Sequence, residues 1–423
     1  MDARIQDYAE VSMPALAIDY PDEVRAAVEG IEAFLRREVF PRHDKHGALL
    51  DDPHRRVTSA GVFIPEVRKI VDEVRLAAAE AGFYAMCAPK SIGGGGMGCL
   101  AYFAAHERIH HLCGAKAWLG HHVISHWAKG PSPVFEKLTA EAKSRFLAKI
   151  MSGEQTLCFG LSEPGAGSDA AAIKTRASPE GEGWRLDGAK IWTTNAPYAD
   201  FIIVFAVTEP ERAAARRGGI STFLVPAKAE GVKLDRIIRM WGSAGGDEAA
   251  IHFDHVRLEP YMLVGELGAG FATALQGVDL GRIYNSARSV GMGRWALEMA
   301  FAYAKAREAF GHPISEYQGV TFPLADSAMQ VHAAHLMSLN AARLKDMGHP
   351  AVKELSMAKA YAVQAGALAL DRAIQAHGAM GMTNELGLTE AYTTLRKVNV
   401  ADGSNEILRR TIVRRMLGGD LDL

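Results

Sequence analysis

The sequence has almost no excess charge of either sign: 47 Lys and Arg stand against 49 Asp and Glu, with a formal net charge of -2. It therefore lacks the basic surplus that nucleic-acid-binding or anionic-membrane-binding proteins carry. Its four cysteines form no CxxC pair, which argues against a disulfide framework and a thiolate zinc site. No apolar run is long enough to span a bilayer, and the first residues do not follow the signal-peptide pattern. We therefore expect a cytoplasmic protein without a membrane span or a nucleic-acid partner.

What the sequence does contain is an ordinary globular composition, with 48% hydrophobic and 23% charged residues. The length of 423 residues is enough for a large core and for two or three domains. Residues 21–153 contain apolar positions at helical spacing, as in DEVRAAVEGIEAFLRREV and PEVRKIVDEVRLAAAEAG, and Gly82 is expected to end the second of these helices. The stretch SIGGGGMG, residues 91–98, is expected to form a flexible loop.

The pattern changes between residue 155 and about residue 264. Five β-branched and aromatic runs, separated by Gly, Pro and Asp, predict a small sheet or barrel: WRLDGAKIWTTN, DFIIVFAV, ISTFLVPA, VKLDRII and AAIHFDHVRL. From residue 268 onwards, long Ala- and Leu-rich segments predict an antiparallel helical bundle. We therefore expect an α+β fold, mostly α, with a helical domain over residues 1–154, a β-domain over 155–265 and a helical bundle over 266–423.

The segment HERIH, residues 106–110, matches the HExxH motif. On a helix, His106 and His110 would share a face and could hold zinc, with Glu107 as general base. Further histidines follow at His121, His122 and His126. The alternative is a polar helix face in a chain that has 16 histidines. No third ligand is evident from the sequence, so we favour the alternative and expect no metal.

Two glycine-rich stretches, GGGGMG and GMGRWA, match a dinucleotide-binding fingerprint only loosely. Neither follows a strand in a βαβ unit, so a Rossmann site is not expected. Gly291 and Gly293 are instead expected to allow close packing between helices.

Two further segments suit a flat polar ligand. The stretch SEPGAGSD combines hydroxyls, small residues and backbone N–H groups in a tight turn, which can bind the edge of such a ligand or merely connect two elements. In KIWTTNA, a strand would place Trp192 and Thr194 on the same side. The indole could then cover one face of a planar ring while the threonine binds its edge; a core tryptophan is the alternative.

Taken together, five segments resemble those of the acyl-CoA dehydrogenase family: LSEPGAGSD, GAKIWTTNA, AREAFGHPISEYQ, QAHGAMG and ADGSNEI. They occur in the family's order and spacing, and the resemblance covers nearly the whole chain. It implies an FAD-dependent enzyme with a helical N-terminal domain, a β-barrel-like middle domain and a C-terminal four-helix bundle. It also implies oxidation of an acyl-CoA thioester to the 2-enoyl-CoA, a reaction of fatty-acid metabolism.

The same resemblance implies which residues bind FAD. Residues 159–168 would line the pyrimidine side of the flavin, with Ser162 at the N1/O2 edge, while Trp192 covers one ring face and Thr194 binds near N5. Arg307, the arginine of the RxxFG motif, would bind the pyrophosphate of a neighbouring subunit's FAD, which implies a homo-oligomer, a tetramer rather than a dimer. The expected FAD-binding residues are Phe159, Leu161, Ser162, Gly167, Ser168, Trp192, Thr193, Thr194, Arg307, Phe310, Tyr317, Gln318, Gln375, His377, Gly378, Ala379, Ser404, Asn405 and Glu406.

The segment ADGSNEI holds Asp402, at the position where the family carries the base that removes the α-proton while flavin N5 takes the β-hydride. Most members have Glu there, so Asp is a departure. The family's second base position is Gly281 in this chain, which leaves Asp402 as the expected base. In an apolar pocket such a carboxylate has a raised pKa and is a stronger base. The residues expected to contact the acyl-CoA are Ser168, Asp279, Arg282 and Gly403.

Two other functions compete with this interpretation. Nitroalkane oxidases of the same superfamily use an Asp base at this position, but they lack an intact RxxFG and have an altered EPGAGSD; both motifs are intact here, which favours the dehydrogenase. A catalytically silent flavoprotein is the second alternative, and the carboxylate of Asp402 argues against it. The expected partners are the acyl-CoA substrate and an electron-transfer flavoprotein as electron acceptor. The length, branching and ring content of the acyl chain do not follow from the sequence.

Overall fold

The computed structural model describes residues 20–422, in which two groups of helices enclose a β-sheet along the chain. The helices that precede the sheet are α1 (Asp22–Phe34), α2 (Phe40–Lys45), α3 (Gly47–Leu50), α4 (Pro65–Glu80), α5 (Gly98–Cys113), α6 (Ala140–Ala142) and α7 (Ala148–Met151). None of the helices in this described part is both long and apolar enough to cross a membrane.

Helix α4 shows why these segments are helical. Pro65 occupies its first position, where the missing N–H costs nothing. Its buried face includes Val67, Ile70 and Val74, which recur at the spacing of one helix face. Gly82, with φ of 84°, ends the helix as predicted.

The glycine-rich stretch 91–98 is a loop, but the expectation of a flexible one was wrong. Its backbone lies against residues 85–88 through hydrogen bonds such as Gly95 N–H to the Ala85 carbonyl. A Cβ at Gly94 would lie 2.2 Å from the Ala88 carbonyl oxygen, and one at Gly95 would lie 2.5 Å from the Met86 oxygen. The glycines therefore serve a close approach of two backbone segments.

The middle part of the chain forms one sheet of eight strands, in the order β6-β7-β3-β2-β4-β5-β8, with β1 beside β4. The strands are β1 (Leu157–Gly160), β2 (Arg176–Glu180), β3 (Gly183–Thr194), β4 (Phe201–Val207), β5 (Ile220–Pro226), β6 (Val232–Ile238), β7 (Glu248–Leu258) and β8 (Leu263–Val264), with helix α8 (Pro210–Ala214) between β4 and β5. All five predicted strands are present. The sequence pattern missed β1, β2 and β8, which are short.

The chain then returns to helices. They are α9 (Gly270–Ala306), α10 (Gln318–Asp346), α11 (Val352–His377), α12 (Leu388–Val398) and α13 (Asn405–Leu417), with the short hairpin β9 (Glu308–Ala309) and β10 (His312–Pro313) after α9. Helix α9 packs against α10 and α11 of the bundle and also against α5. It is therefore shared between the two helical parts, and the site described below lies along it.

The close packing of α9 depends on its glycines. A Cβ at Gly291 would lie 2.4 Å from the backbone oxygen of Glu107 in α5, and one at Gly293 would lie 2.9 Å from Cγ2 of Val331 in α10. Both glycines therefore allow neighbouring helices to approach, as predicted.

Candidate active site

Asp402 lies in the turn that joins α12 to α13. Asp402 and Gly403 have positive φ values of 52° and 90°, a region that glycine adopts freely and aspartate tolerates. Ser404 then caps α13 by accepting a hydrogen bond from the Ile407 N–H. The turn and the cap together fix the direction of the Asp402 side chain.

The Asp402 carboxylate faces helix α9. Its Oδ2 accepts a hydrogen bond of 2.6 Å from Nδ2 of Asn285. A Cβ added to Gly281 would lie 2.6 Å from the same Oδ2 and 2.9 Å from Nε1 of Trp127. That indole nitrogen is buried and has no hydrogen-bond partner within residues 20–422. Gly281 therefore leaves the space that the carboxylate fills, and Trp127 closes the pocket on the other side.

Burial raises the pKa of the Asp402 carboxyl, and the opposing effects of Lys359, Arg288, Arg282 and the Asn285 amide do not cancel it. The residue keeps some accessible surface, but its carboxylate is surrounded by protein. A carboxylate with a raised pKa is a stronger base, which is the property that the sequence predicts for this position.

Lys359 of α11 supports the turn from inside the protein. Its Nζ donates a 2.9 Å hydrogen bond to the Gly403 carbonyl and lies 3.5 Å from Oδ1 of Asn405. Burial lowers the pKa of Lys359 to about 8, although the charge of Asp402 opposes this effect. The side chain of Asn405, expected near FAD, is itself buried and donates 2.7 Å to Oδ1 of Asn399. Lys359 and Asn405 therefore hold the backbone on which Asp402 stands.

Three of the four residues predicted to bind substrate lie next to this turn, whereas Ser168 lies in the turn after β1. Arg282 is 8% exposed, and its Nε is buried without a hydrogen-bond partner in the described chain. Its Nη1 lies 3.4 Å from Oδ1 of Asp279, whose Oδ2 lies 3.2 Å from Nζ of Lys345. A Cβ at Gly403 would lie 3.8 Å from Nη2 of Arg282. Asp279, Arg282 and Gly403 thus form one group beside Asp402.

The turn after β1 is held by a buried ion pair that sequence reasoning missed. Oε1 of Glu163 lies 2.8 Å from Nζ of Lys190, and the same carboxylate accepts two backbone N–H groups. The glycines of the turn face open space, since a Cβ at Gly165 or Gly167 would meet nothing within 4 Å. Ser168 is exposed beside them. A rigid turn thus presents an open backbone surface.

Trp192 lies in a β-bulge near the end of β3. The pairing with β7 slips between Lys190 and Thr193, and Trp192 has a φ of 60°. The alternation is interrupted between Lys190 and Thr193, which are both buried. Trp192 is 52% exposed and Thr194 half-buried, whereas Thr193 between them is buried and its Oγ1 has no partner in the described chain. This burial pattern agrees with the predicted common side of Trp192 and Thr194.

These features fit a flat polar ring such as the isoalloxazine of FAD. The indole of Trp192 offers an exposed planar face, and the open turn offers backbone groups for the edge of a ring. Phe159 of β1 connects this surface to the base, because its ring centroid lies 4.9 Å from that of Trp127. The carbonyl groups of Leu161 and Ser162 are used within the protein, by Lys190 Nζ and Ile191 N–H.

A cavity of about 240 Å³ begins on the other side of Trp127. It lies between the helical domain and α9, and its wall includes Cys99, Tyr102, Trp127 and Leu280. Trp127 therefore borders both this cavity and the Asp402 pocket.

The HERIH segment does not support a zinc site. Oε1 of Glu107 lies 2.9 Å from Nη1 of Arg294, and Oε2 lies 2.8 Å from Nδ1 of His335. The imidazole ring centroids of His106 and His110 are 6.2 Å apart. Within residues 20–422, the one set of three side chains close enough to share a metal ion lies on the sheet, away from this helix. Glu107 is bound in an ion pair and is not free to act as a general base.

Comparison with known proteins assigns the family. The N-terminal, middle and C-terminal domain models of acyl-CoA dehydrogenases match residues 21–154, 158–256 and 268–417. The chain belongs to the acyl-CoA dehydrogenase family. It is therefore an enzyme of the FAD-dependent type that the resemblance implied, and the predicted arrangement of helices, sheet and helices is confirmed.

Relatives of this acyl-CoA dehydrogenase include enzymes named for both directions of the reaction. The human mitochondrial short-chain specific acyl-CoA dehydrogenase is 36% identical over 336 residues, which is 79% of this chain and 80% of the relative. Subunit CarC of the caffeyl-CoA reductase-Etf complex of Acetobacterium woodii is 32% identical over 344 residues, 80% of this chain and 88% of the relative. The butyryl-CoA dehydrogenase structure from Megasphaera elsdenii superposes with a TM-score of 0.80 at 25% identity, over 95% of this chain and all of that one.

The predicted FAD-binding residues of this acyl-CoA dehydrogenase fall into two separate groups. The first group consists of Phe159, Leu161, Ser162, Gly167, Ser168, Trp192, Thr193, Thr194, Ser404, Asn405 and Glu406. The second group consists of Arg307, Phe310, Tyr317, Gln318, Gln375, His377, Gly378 and Ala379. It lies at the far end of the bundle, where the ring centroids of Tyr303 and His377 are 4.5 Å apart and Arg307 N–H donates to the Tyr303 carbonyl. An α-helix rises about 1.5 Å per residue, which puts Arg307 about 33 Å from Asn285 along α9. The second group therefore lies far from Asn285 and from the Asp402 turn that Asn285 contacts.

Sequence reasoning missed Trp127, Asn285, Arg288 and Lys359. A signal was available for two of them, because Asn285 and Arg288 continue the three-residue spacing of Arg282 in a helix segment rich in Gly, Ala and Ser. Lys359 and Trp127 gave no such signal, since their contacts with the turn depend on tertiary packing.

Proposed function

We propose that this enzyme oxidises an acyl-CoA thioester to the 2-enoyl-CoA, with Asp402 as the base that removes the α-proton. The observation that supports this most directly is the state of the Asp402 carboxylate. It is enclosed by protein, its pKa is raised by burial, and its hydrogen bond of 2.6 Å comes from the neutral amide of Asn285. A carboxylate in that setting is ready to accept a proton from carbon.

The surrounding residues have separate tasks in this proposal. Gly281 leaves the room on α9 that the carboxylate occupies, Asn285 orients the carboxylate, and Lys359 fixes the turn that carries it. The backbone N–H of Asp402 donates to the thioester oxygen, where negative charge develops as the α-proton leaves. Arg282 and Asp279 border the same space and contact the CoA portion.

Bound FAD would supply the hydride acceptor for Cβ in this reaction. The residues that would hold its ring are those of the open turn, residues 159–168, together with Trp192, Thr193 and Thr194. Their exposed indole and open backbone are suited to a flat ring. Ser404, half-buried at the start of α13, and the exposed Glu406 would contact the adenosine side.

We also propose a homo-oligomer, a tetramer rather than a dimer, in which Arg307 binds the pyrophosphate of a partner's FAD. The roughly 33 Å of helix α9 between Asn285 and Arg307 supports this, since the ribityl chain between a flavin ring and its pyrophosphate is far shorter. Phe310 beside it is 95% exposed in the single chain, as expected of a residue that a partner covers. The name of the Acetobacterium woodii relative supports an electron-transfer flavoprotein as electron acceptor.

The proposal is tested by anaerobic titration of the FAD-loaded enzyme with a panel of acyl-CoA thioesters, followed by flavin absorbance. Bleaching by at least one thioester, with recovery of the 2-enoyl product, is the expected result. The reverse reaction is measured with the dye-reduced enzyme and 2-enoyl-CoA, because some relatives are named as reductases. An enzyme that no thioester bleaches, but that consumes oxygen with a nitroalkane, would contradict the dehydrogenase and favour the oxidase.

A further inference from the structure

Arg288 is a half-buried cation next to Asn285, the residue that hydrogen-bonds to Asp402. Its Nη2 donates 2.8 Å to Oδ1 of Asn285, the same amide that donates from Nδ2 to Asp402. Its guanidinium carbon lies 5.0 Å from the centroid of the Tyr284 ring. Its Nε is buried without a hydrogen-bond partner, and Arg288 forms no ion pair with any residue from 20 to 422. A guanidinium in such a place has donors to spare for a ligand.

Neutral histidines from the helical domain lie against Tyr284, the residue whose ring Arg288 contacts. The ring centroids of His106 and His126 lie 4.8 Å and 4.4 Å from that of Tyr284. Burial lowers the pKa of His106 to about 3 and that of His126 well below its usual value, so both rings are neutral at pH 7. His106 is 1% exposed, and neither of its ring nitrogens has a hydrogen-bond partner in the described chain.

An unpartnered buried imidazole costs free energy, as does the buried and unpartnered Nε of the half-buried Arg288. His110 and His121 stack behind His106, with ring centroids 4.3 Å apart, and the Nε2 of each is likewise unpartnered in residues 20–422. None of these neutral rings supplies the negative charge that Arg288 lacks. The protein therefore maintains an unsatisfied cluster of donors and acceptors next to its base, which is expected of a binding pocket rather than of a core.

The charged side chains around Asp402 also favour the binding of an anion. The basic side chains around the base are Arg282, Arg288, Lys345 and Lys359, and the acidic ones are Asp279 and Asp402. Asp279 is already shared between Arg282 and Lys345. Lys359 donates a hydrogen bond to the Gly403 carbonyl of the turn. Arg288 has no carboxylate partner of its own among these residues. When Asp402 accepts a proton during the reaction, the excess of positive charge increases by one.

We propose that Arg288, with His106 and Tyr284 beside it, binds a carboxylate at the far end of a short acyl chain, so that the substrates are dicarboxylyl-CoA thioesters. This inference rests on the function proposed above. The guanidinium is separated from the Asp402 carboxylate by the single amide of Asn285, and a chain of a few carbons beyond Cα spans such a distance. The fork geometry of arginine matches a carboxylate in a bidentate way. The distal carboxylate takes no part in bond making, and the chemistry at Cα and Cβ is unchanged.

The experiment compares acyl-CoA thioesters with and without a distal carboxylate. Wild-type enzyme is assayed for kcat/KM with glutaryl-CoA and butyryl-CoA, and with adipyl-CoA and hexanoyl-CoA. Binding of the products glutaconyl-CoA and crotonyl-CoA is measured by calorimetry, which requires no turnover. The variants are Arg288→Gln, which removes the charge, and Arg288→Lys, which keeps it without the fork. Arg36→Gln, on the exposed face after α1, is the matched control.

We expect wild type to prefer the dicarboxylyl thioester in both assays, since a hydrogen bond to a charged group contributes about 10-fold or more to affinity. Arg288→Gln should lower the glutaryl-to-butyryl ratio by about 30-fold, Arg288→Lys by less, and Arg36→Gln not at all. A wild-type preference for butyryl-CoA, or for an aryl or hydroxyl acyl group, overturns the inference, as does a ratio that Arg288→Gln leaves unchanged. If butyryl-CoA bleaches the flavin while glutaryl-CoA does not, this inference fails and the proposed function stands; if no thioester bleaches it, the proposed function itself fails.

Discussion

Two buried carboxylates of this protein, Glu107 and Asp402, have opposite pKa shifts. Burial raises the pKa of both groups, but at Glu107 the hydrogen bond and charge of His335 and the charge of Arg294 outweigh burial and lower it to about 2. At Asp402 burial prevails. The difference lies in the partners: Glu107 touches a guanidinium and an imidazole at 2.9 and 2.8 Å, whereas Asp402 touches a neutral amide and its cations bond elsewhere.

The comparison separates a structural carboxylate from a reactive one. An ion pair with two direct partners keeps a carboxylate ionised, engages both of its oxygens and holds helices together. A single neutral hydrogen bond to one oxygen orients the Asp402 carboxylate without neutralising it, and Gly281 leaves the room on α9 that this carboxylate occupies. Glu107 occupies the position of the base in an HExxH motif, but its ion pairs with Arg294 and His335 give it a structural role. The environment of the carboxylate therefore decides its role, and the motif does not.

The largest effect is expected for Asp402→Asn. Loss of the base should slow flavin bleaching by acyl-CoA about 10³-fold, within the range for general bases, while FAD stays bound. Stability should not fall: a carboxylate whose folded pKa is raised destabilises the folded state once pH exceeds its unfolded pKa, and Asn removes that cost. Stopped-flow absorbance and thermal unfolding at pH 7 measure the two effects.

Glu107→Gln is the matched control for Asp402→Asn, and its effects should be reversed. It leaves Arg294 and His335 without their partner, which costs about 3 kcal/mol of unfolding free energy, while bleaching per folded molecule stays near wild type. Because the folded pKa is depressed, wild-type stabilisation by Glu107 is present above about pH 4.5 and is lost as pH falls towards about 2. A wild-type bleaching rate in Asp402→Asn, or a severe loss of bleaching rate in Glu107→Gln, would contradict the different roles assigned to the two carboxylates.

A smaller effect is expected for Gly281→Ala. The new methyl group would lie 2.6 Å from Oδ2 of Asp402, so the carboxylate must move. A displacement of about 1 Å at a reacting group costs up to about 10²-fold in rate, and we expect kcat to fall by that order while the fold is retained. Gly30→Ala in α1, whose Cβ would lie 3.3 Å from the Phe83 ring, controls for adding a methyl group to a helical glycine. Equal rates in both variants would show that Asp402 is not placed against Gly281 in the working enzyme.

The smallest effect is expected for Lys359→Met. Removal of a cation that lowers the pKa of Asp402 should raise that pKa further and shift the acidic limb of the kcat/KM profile to higher pH, with a loss of about 10-fold at pH 7. Lys353→Met is the matched control on the same helix, because Lys353 is also buried but pairs with Asp420. Lys353→Met should lower the free energy of unfolding without shifting the pH profile of kcat/KM. If Lys359→Met leaves that profile unchanged, Lys359 does not influence the pKa of Asp402.

The sequence determined the order of helices, strands and helices, because the change from helical to alternating periodicity is a local property. The five longer strands and the role of Gly82 followed from it, and the motifs around Asp402, Trp192 and Arg307 identified the family. Periodicity failed where local geometry departs from the regular pattern. The bulge at Trp192 breaks the alternation of β3, and the glycines of residues 91–98 are there for backbone contact.

Only the tertiary structure decided which acidic and basic groups meet. Asp402 and Asn285 are 117 positions apart, and Glu107 and Arg294 are 187 apart, so no local pattern connects them. A pKa depends on burial and on charges within a few ångströms, and both are set when α9 packs against α5, α11 and the turn at Asp402. The sequence therefore identified Asp402 as the candidate base. The packing of distant segments raised its pKa, bound Glu107 in an ion pair and left Arg288 without an ion-pair partner in the described chain.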